Sequence, residues 1–318
     1  MNKVLLTGCA GFIGYHLSKS LLERGYEIIG IDNINDYYDI SLKNKRLSNL
    51  KEKNNFSFEK IDISDKDGVE KIFESYKPNK VVNLAAQAGV RYSIENPYAY
   101  VDSNLVGFVN IIEISKNYKV ENFVYASSSS VYGGNENFPF STKDRVDRPL
   151  ALYGATKRAN ELIAHSYSHL FDICTTGLRY FTVYGPWGRP DMAMYIFTKK
   201  IINEEPIAVY NNGKMKRDFT YIDDIISGTI SAIEKNYKCE IFNLGNNKSE
   251  DLMNMIGLIE KKLNKKAIID FQPMQPGDVL ESFANIDYSK QKLGYEPTTD
   301  ISDGIPKMID WYKKYYER

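Results

Sequence analysis

Lys3-Val4-Leu5-Leu6-Thr7-Gly8-Cys9-Ala10-Gly11-Phe12-Ile13-Gly14 is an apolar run of strand character that ends in a glycine-spaced turn. A helical pattern, Tyr15 to Arg24, follows directly, and then a second apolar run, Glu27 to Ile31. The order reads as strand, tight turn, helix and parallel strand. Gly8 permits the turn, Gly11 lets backbone approach a pyrophosphate, and Gly14 lets helix and strand pack closely. The helix start, at Phe12 and Ile13, presents free amide donors and the positive end of its dipole to that phosphate. Eighteen residues past Gly14 stands Asp32. Its carboxylate can accept both hydroxyls of an adenosine ribose and repels a 2′-phosphate, so NAD is favoured over NADP. A plain strand-helix turn with incidental glycines is the bland alternative, and the acid in the right place argues against it.

Working outward, strand-like runs recur with helical patterns between them: Phe56–Lys60, Lys80–Leu84, Phe123–Ala126 and Ile173–Leu178. This alternation predicts an α/β fold, a Rossmann-type doubly wound parallel sheet, with ligands beyond the carboxyl ends of the strands. Loops after strands therefore carry functional weight. After the third, Asp62-Ile63 places an Asp that either accepts from the adenine amino group or caps the helix starting near Asp65. After the fourth, Ala85, Ala86 and Gln87 let backbone come close to the cofactor. Asn104, in a long helical segment opened by Pro97, either reaches back to the strand ends or is solvated.

Composition removes other classes. Lys+Arg and Asp+Glu both count 41 in 318 residues, so the net charge is zero and neither nucleic acid nor an anionic membrane is expected as the main partner. A strand begins within three residues of the start, leaving no room for a signal peptide, and no apolar run is long enough to span a bilayer. Cys9, Cys174 and Cys239 are odd in number and widely spaced, which fits reduced thiols in a cytoplasmic protein better than disulfides or metal ligands.

The fifth strand runs into Ser127-Ser128-Ser129-Ser130, and later Tyr153-Gly154-Ala155-Thr156-Lys157 opens an amphipathic helix to about Leu170. Tyr153 and Lys157, four apart, share a helical face. A free tyrosine, with a pKa of about 10, is a poor base at neutral pH. A nearby ammonium and a cationic nicotinamide are expected to lower that value, so that Tyr153 takes a hydroxyl proton while NAD takes hydride from the same carbon. Lys157 would also hold the nicotinamide ribose, and a serine at the strand end would share the substrate oxygen. Beyond Leu178 the alternation stops, and Arg179 to Pro190 reads as a long functional loop containing Tyr180, Thr182 and Arg189. Arg217 is a candidate fork for a diphosphate.

Together, Thr7–Gly14, the serine run before Val131-Tyr132-Gly133, Tyr153 with Lys157, and Arg217-Asp218-Phe219-Thr220-Tyr221 resemble the extended short-chain dehydrogenase/reductases acting on nucleotide sugars. Ala88-Gly89-Val90-Arg91-Tyr92-Ser93, Asn160-Glu161-Leu162 and Tyr184 through Ala193 resemble the UDP-glucuronate 4-epimerases in particular. The resemblance implies a retained NAD, oxidation at C4 of a UDP-sugar, turning of the 4-keto sugar and return of hydride to its other face. It implies Ser128 as the catalytic hydroxyl beside Tyr153 and Lys157, with Tyr180 at the cofactor. It also implies Arg91 as a substrate-binding residue and Asp278 on the uridine ribose. The carboxylates that dehydratases and decarboxylases carry before the Val-Tyr-Gly run are replaced here by Ser129 and Ser130.

A C6 carboxylate would find hydroxyl donors on Ser129, Ser130 and Thr182 and a charge-assisted partner in Arg189. Pinning it out of plane would protect the 4-keto intermediate, a β-keto acid, from losing CO₂. Gln275 stands where relatives often carry Arg. The resemblance further implies a homodimer pairing the helices 97–116 and 153–170, and two lobes. Residues 1–178 with about 218–244 would hold NAD, and about 179–217 with 245–318 would hold the nucleotide sugar in a smaller α/β lobe. A 4-epimerase for UDP-glucose or UDP-N-acetylglucosamine is the near rival, and a non-catalytic NAD-binding regulator the distant one.

Overall fold

The computed structural model describes residues 2–317. Its centre is an all-parallel sheet of seven strands built from β1 (Lys3–Thr7), β2 (Glu27–Asp32), β3 (Phe56–Lys60), β4 (Lys80–Asn83), β5 (Asn122–Ser128) and β6 (Thr175–Tyr180), completed by a late strand, Cys239–Leu244. The order across the sheet is β3-β2-β1-β4-β5-β6 and then that late strand. The chain reverses direction across the sheet between β1 and β4, which opens a crevice above their carboxyl ends. Thr7 faces Ile31 on one side and Asn83 on the other, and its hydroxyl both donates to Asn83 Oδ1 (2.6 Å) and accepts from Ala85 N (2.9 Å).

Side chains alternate faces along a strand, so each strand feeds two cores. Val4, Leu6, Val82, Val124 and Leu178 pack under the helices Phe12–Glu23 and Ile222–Glu234. Leu5, Val81, Phe123 and Tyr125 pack under Lys66–Tyr76 and Gly107–Asn117. After β6 the chain adds short pieces outside the central sheet, β7 (Thr182–Tyr184), β8 (Ile207–Tyr210), β9 (Lys216–Arg217), β10 (Phe219–Tyr221), β12 (Glu250–Asp251), β13 (Ile269–Gln272) and β14 (Glu281–Ser282), with β11 being the late strand of the central sheet. β10 pairs with β7, β13 with β8, and β12 and β14 flank β9. Asp218, fully buried between β9 and β10, ties these pieces together by accepting from Thr220 Oγ1 and from the amides of Asn246, Asn247 and Ala284, at 2.6–3.1 Å.

Two boundaries differ from expectation. β6 begins two residues late and runs on to Tyr180, because Arg179 is a strand residue with a buried partner rather than the start of a loop. The long loop thus begins at Gly185, after β7. The helix opened by Pro97 is interrupted by a π-turn, Val101–Val106, which carries Asn104.

Candidate active site

A cleft of about 960 Å³ lies between the carboxyl ends of the central strands and the short strands β7 to β10. Every residue anticipated from the sequence as catalytic, cofactor-binding or substrate-binding lines it, except Asn104. Asn104 is 2% exposed and turned inward: its Oδ1 accepts from Gln87 N (2.8 Å), while its Nδ2 donates to Gln87 O and Thr156 Oγ1 (3.0 Å each). It reaches the strand end, as one of its two readings held, but it holds the cleft wall rather than facing the cleft.

At the cofactor end, Gly8 has φ +73° and a Cβ there would lie 2.8 Å from Ala85 N, so only glycine lets the turn sit against β4's end. A Cβ at Gly14 would lie 2.1 Å from Gly8 O, which seats the helix on the turn. The helix starts at Phe12 with neither a side-chain cap nor an acid in its first turn, leaving Gly11, Phe12 and Ile13 open to an anion. Asp32 accepts one amide on each oxygen, Ala10 N (3.0 Å) and Ile34 N (2.9 Å), and a carboxylate oxygen has capacity for a further hydroxyl. Asp62 does not cap the helix Lys66–Tyr76, since Asp65 does. It faces the cleft, accepting from Asn33 and Ser64. This uncapped turn, with an acid at the next strand's end, fits a dinucleotide. Tyr180 presents no hydroxyl to it, because that group is paired with Thr229 Oγ1 (3.0 Å).

At the reactive end, Ser128 closes β5 and Tyr153 lies in the first turn of the helix Leu152–Phe171, and both line the cleft. Ser128 Oγ also accepts from Ser130 N (3.1 Å). Lys157 Nζ donates to Ala126 O (2.8 Å) on the same strand. The protein surroundings by themselves act against that acidity. Burial raises the Tyr153 pKa above its ordinary value, and Ser128 and Arg189 offset this only in part. Burial likewise pushes the Lys157 pKa down to about 8. Two groups withdrawn from water lose charge together unless a ligand brings a countercharge.

Behind Ser128 lies a network the sequence reading did not assign. Glu161 takes a two-point ion pair from Arg179 (Nε 2.8 Å, Nη2 2.9 Å), a bond from Ser127 Oγ (2.7 Å) and one from Arg158 (2.9 Å). Arg179 Nη1 in turn donates to Tyr132 Oη (3.0 Å). Burial raises the Glu161 pKa, but these donors outweigh it and the carboxyl sits below its ordinary value.

Ser129, Ser130, Thr182 and Arg189, expected at the sugar, all line the cleft. Arg189 already has a partner that the sequence reading missed: Asp191 accepts from its Nε (3.0 Å) and Nη2 (2.5 Å), and Tyr37 Oη donates to the same carboxylate (3.3 Å). Farther along, Arg91 pairs with Asp278 (3.4 Å), its guanidinium over the Tyr210 ring. Arg217 points among backbone carbonyls, with Asp278 as its nearby countercharge.

The sequence profile of the NAD dependent epimerase/dehydratase family matches residues 4–245. Protein CapI of Staphylococcus aureus is 50% identical over 99% of this chain and 100% of its own length. UDP-glucuronate 4-epimerase 4 of Arabidopsis thaliana is 46% identical over 98% of this chain and 76% of its own. Among solved structures, the Bacillus cereus UDP-glucuronic acid 4-epimerase in complex with UDP-glucuronic acid and NAD superposes with a TM-score of 0.94, at 35% identity, covering 99% of this chain and 100% of that one.

Proposed function

The chain belongs to the NAD dependent epimerase/dehydratase family, and on that premise we propose that it is an NAD-dependent 4-epimerase interconverting UDP-glucuronate and UDP-galacturonate. One observation carries this: Ser128, Tyr153 and Lys157, and the hydroxyls of Ser129, Ser130 and Thr182 with the Arg189 guanidinium, line one cleft with the dinucleotide turn. Bound NAD supplies the acceptor and donor of hydride and adds positive charge beside Tyr153. Tyr153 takes the proton of the sugar's 4-hydroxyl as C4 is oxidised, and returns it after the 4-keto sugar has turned. Ser128 hydrogen-bonds the same oxygen. Lys157 holds the nicotinamide ribose, while Asp32 and Asp62 hold the adenosine end. Arg217 holds the diphosphate and Asp278 the uridine ribose, with Arg91 beside Asp278, so that the sugar turns about a fixed anchor.

Ser129, Ser130, Thr182 and Arg189 grip the C6 carboxylate. The 4-keto intermediate loses CO₂ when its carboxylate aligns with the carbonyl π-system, so a grip that holds the group out of that plane preserves the product. We read the chain as two lobes: 1–178 with about 218–244 for NAD, and about 179–217 with 245–318 for the nucleotide sugar. Reduced thiols at all three cysteines agree with work in the cytoplasm, where the product would serve as a polysaccharide precursor.

Incubation with UDP-glucuronate, followed by sugar proton spectra, should show the C4-inverted product without added reductant. Tyr153→Phe should lower the rate by about 10²–10⁴-fold. Turnover of UDP-glucose in place of the uronate would move the assignment to the rival epimerase. Arg189→Ala should release a decarboxylated by-product, and a clean, full-rate Arg189→Ala enzyme would remove the proposed grip.

A further inference from the structure

Arg46, on the helix Ile40–Lys51, is 0% exposed and forms no ion pair among the described residues. One Nη donates to Ala10 O (2.9 Å) and Tyr38 Oη (2.7 Å), and the other to the carbonyls of Trp187 (2.5 Å) and Gly188 (3.3 Å). Ala10 belongs to the dinucleotide turn, and Trp187-Gly188 lead directly into Arg189. Its hydrogen bonds all go to neutral acceptors while Asp32 is its nearby countercharge, and the planar five-donor fork suits joining two backbones in this way.

The loop it holds is strained. Trp187 has φ +61°, a conformation that bulky L-residues seldom adopt without surroundings that impose it. Those surroundings come from the cofactor half of the molecule as well. His16 Nε2 donates to Pro186 O (2.9 Å), and the Tyr15 ring packs on the Trp187 ring at 5.4 Å. Three successive carbonyls, of Pro186, Trp187 and Gly188, are thus held by two side chains of the first strand-helix unit and the helix after it. Arg189 then enters the cleft.

The geometry points to Arg46 as a positioning residue for sugar selection: it holds Trp187-Gly188 against the dinucleotide turn and so sets where Arg189 meets the C6 carboxylate. This rests on the uronate reading above. Arg46 touches neither sugar nor nucleotide in this role. Its loss should therefore show in recognition of the carboxylate and not in recognition of UDP.

The test compares wild type, Arg46→Met, Arg46→Lys and His16→Leu, each loaded with NAD. KM and kcat are measured for UDP-glucuronate, and Kd by calorimetry for UDP, which lacks the sugar. Arg46→Met should raise KM for UDP-glucuronate by about tenfold or more while Kd for UDP stays within about twofold. Arg46→Lys, which keeps the charge and part of the bonding, should recover part of the loss. The decarboxylated by-product should appear with Arg46→Met. If that variant does not fold, His16→Leu removes one loop bond and should show the same split at about threefold. Equal losses for UDP and UDP-glucuronate, or an unchanged KM, would overturn the proposal as a structural role only. A wild type that handles UDP-glucose as readily as the uronate would instead overturn the uronate reading, a result distinguishable before any variant is made.

Discussion

At the scale of single residues, burial governs the reactive pair more strongly than proximity does. Lys157 titrates near 8 because water is excluded from it, so its ammonium is lost as pH rises through that value. NAD affinity should accordingly fall between pH 7 and 9, by up to about tenfold per unit above pH 8. Lys157→Met should bind more weakly and without that slope. A flat wild-type titration would remove Lys157 from the ribose. His16 shows the same physics in a structural setting. Burial lowers its pKa from 6.5 to about 4, with the neighbouring Arg46 adding to the effect and the Pro186 carbonyl opposing it. The folded chain therefore binds that proton less well than the unfolded chain. Stability is fully present above about pH 6.5 and declines toward pH 4 by up to about 1.4 kcal/mol per pH unit. Urea midpoints of wild type and His16→Leu, compared across this range, should differ in that slope.

At the scale of elements, the ends of β5 and β6 are held by charge. Glu161, on the helix Leu152–Phe171, joins the two strands by accepting from Ser127 and Arg179, and Ser127 precedes the catalytic candidate Ser128. Glu161→Gln would leave the Arg179 guanidinium buried without a countercharge, at a cost of about 3–5 kcal/mol. Chemical denaturation measures this, and a loss below about 1 kcal/mol would show that the pair is not an essential strut. The same pair explains a boundary that hydropathy could not place. The apolar run ends at Leu178, yet Arg179 continues the strand because its partner Glu161, eight residues after Tyr153 on the same helix, is brought alongside only by folding. The π-turn at Val101–Val106 is similar: nothing in its local pattern marks it, and its effect is to carry Asn104 to the Gln87 backbone.

At the scale of the whole molecule, apolar side chains remain on the outer face of the helical pair proposed to dimerise. Tyr98 and Val106 are 77% and 44% exposed on one segment, and Leu162 and Leu170 are 52% and 67% exposed on the other. Such a face is costly in water and would be covered in a homodimer. Sedimentation equilibrium should give twice the chain mass, and Leu162→Glu together with Val106→Asp should give the single mass; a wild-type monomer would end the proposal. The parallel sheet, its crevice and the glycine turn were legible in the chain because each depends on local periodicity and on short spacings that backbone sterics dictate. Tyr153 and Lys157 were legible for the same reason, being four apart on one helix. What the tertiary structure alone decided were pairings between separate elements: Tyr37 with Asp191, Arg179 with Glu161, and Arg46 with Ala10 and Trp187. Such pairs are chosen by burial, since a charge withdrawn from water must find its partner wherever the fold delivers one.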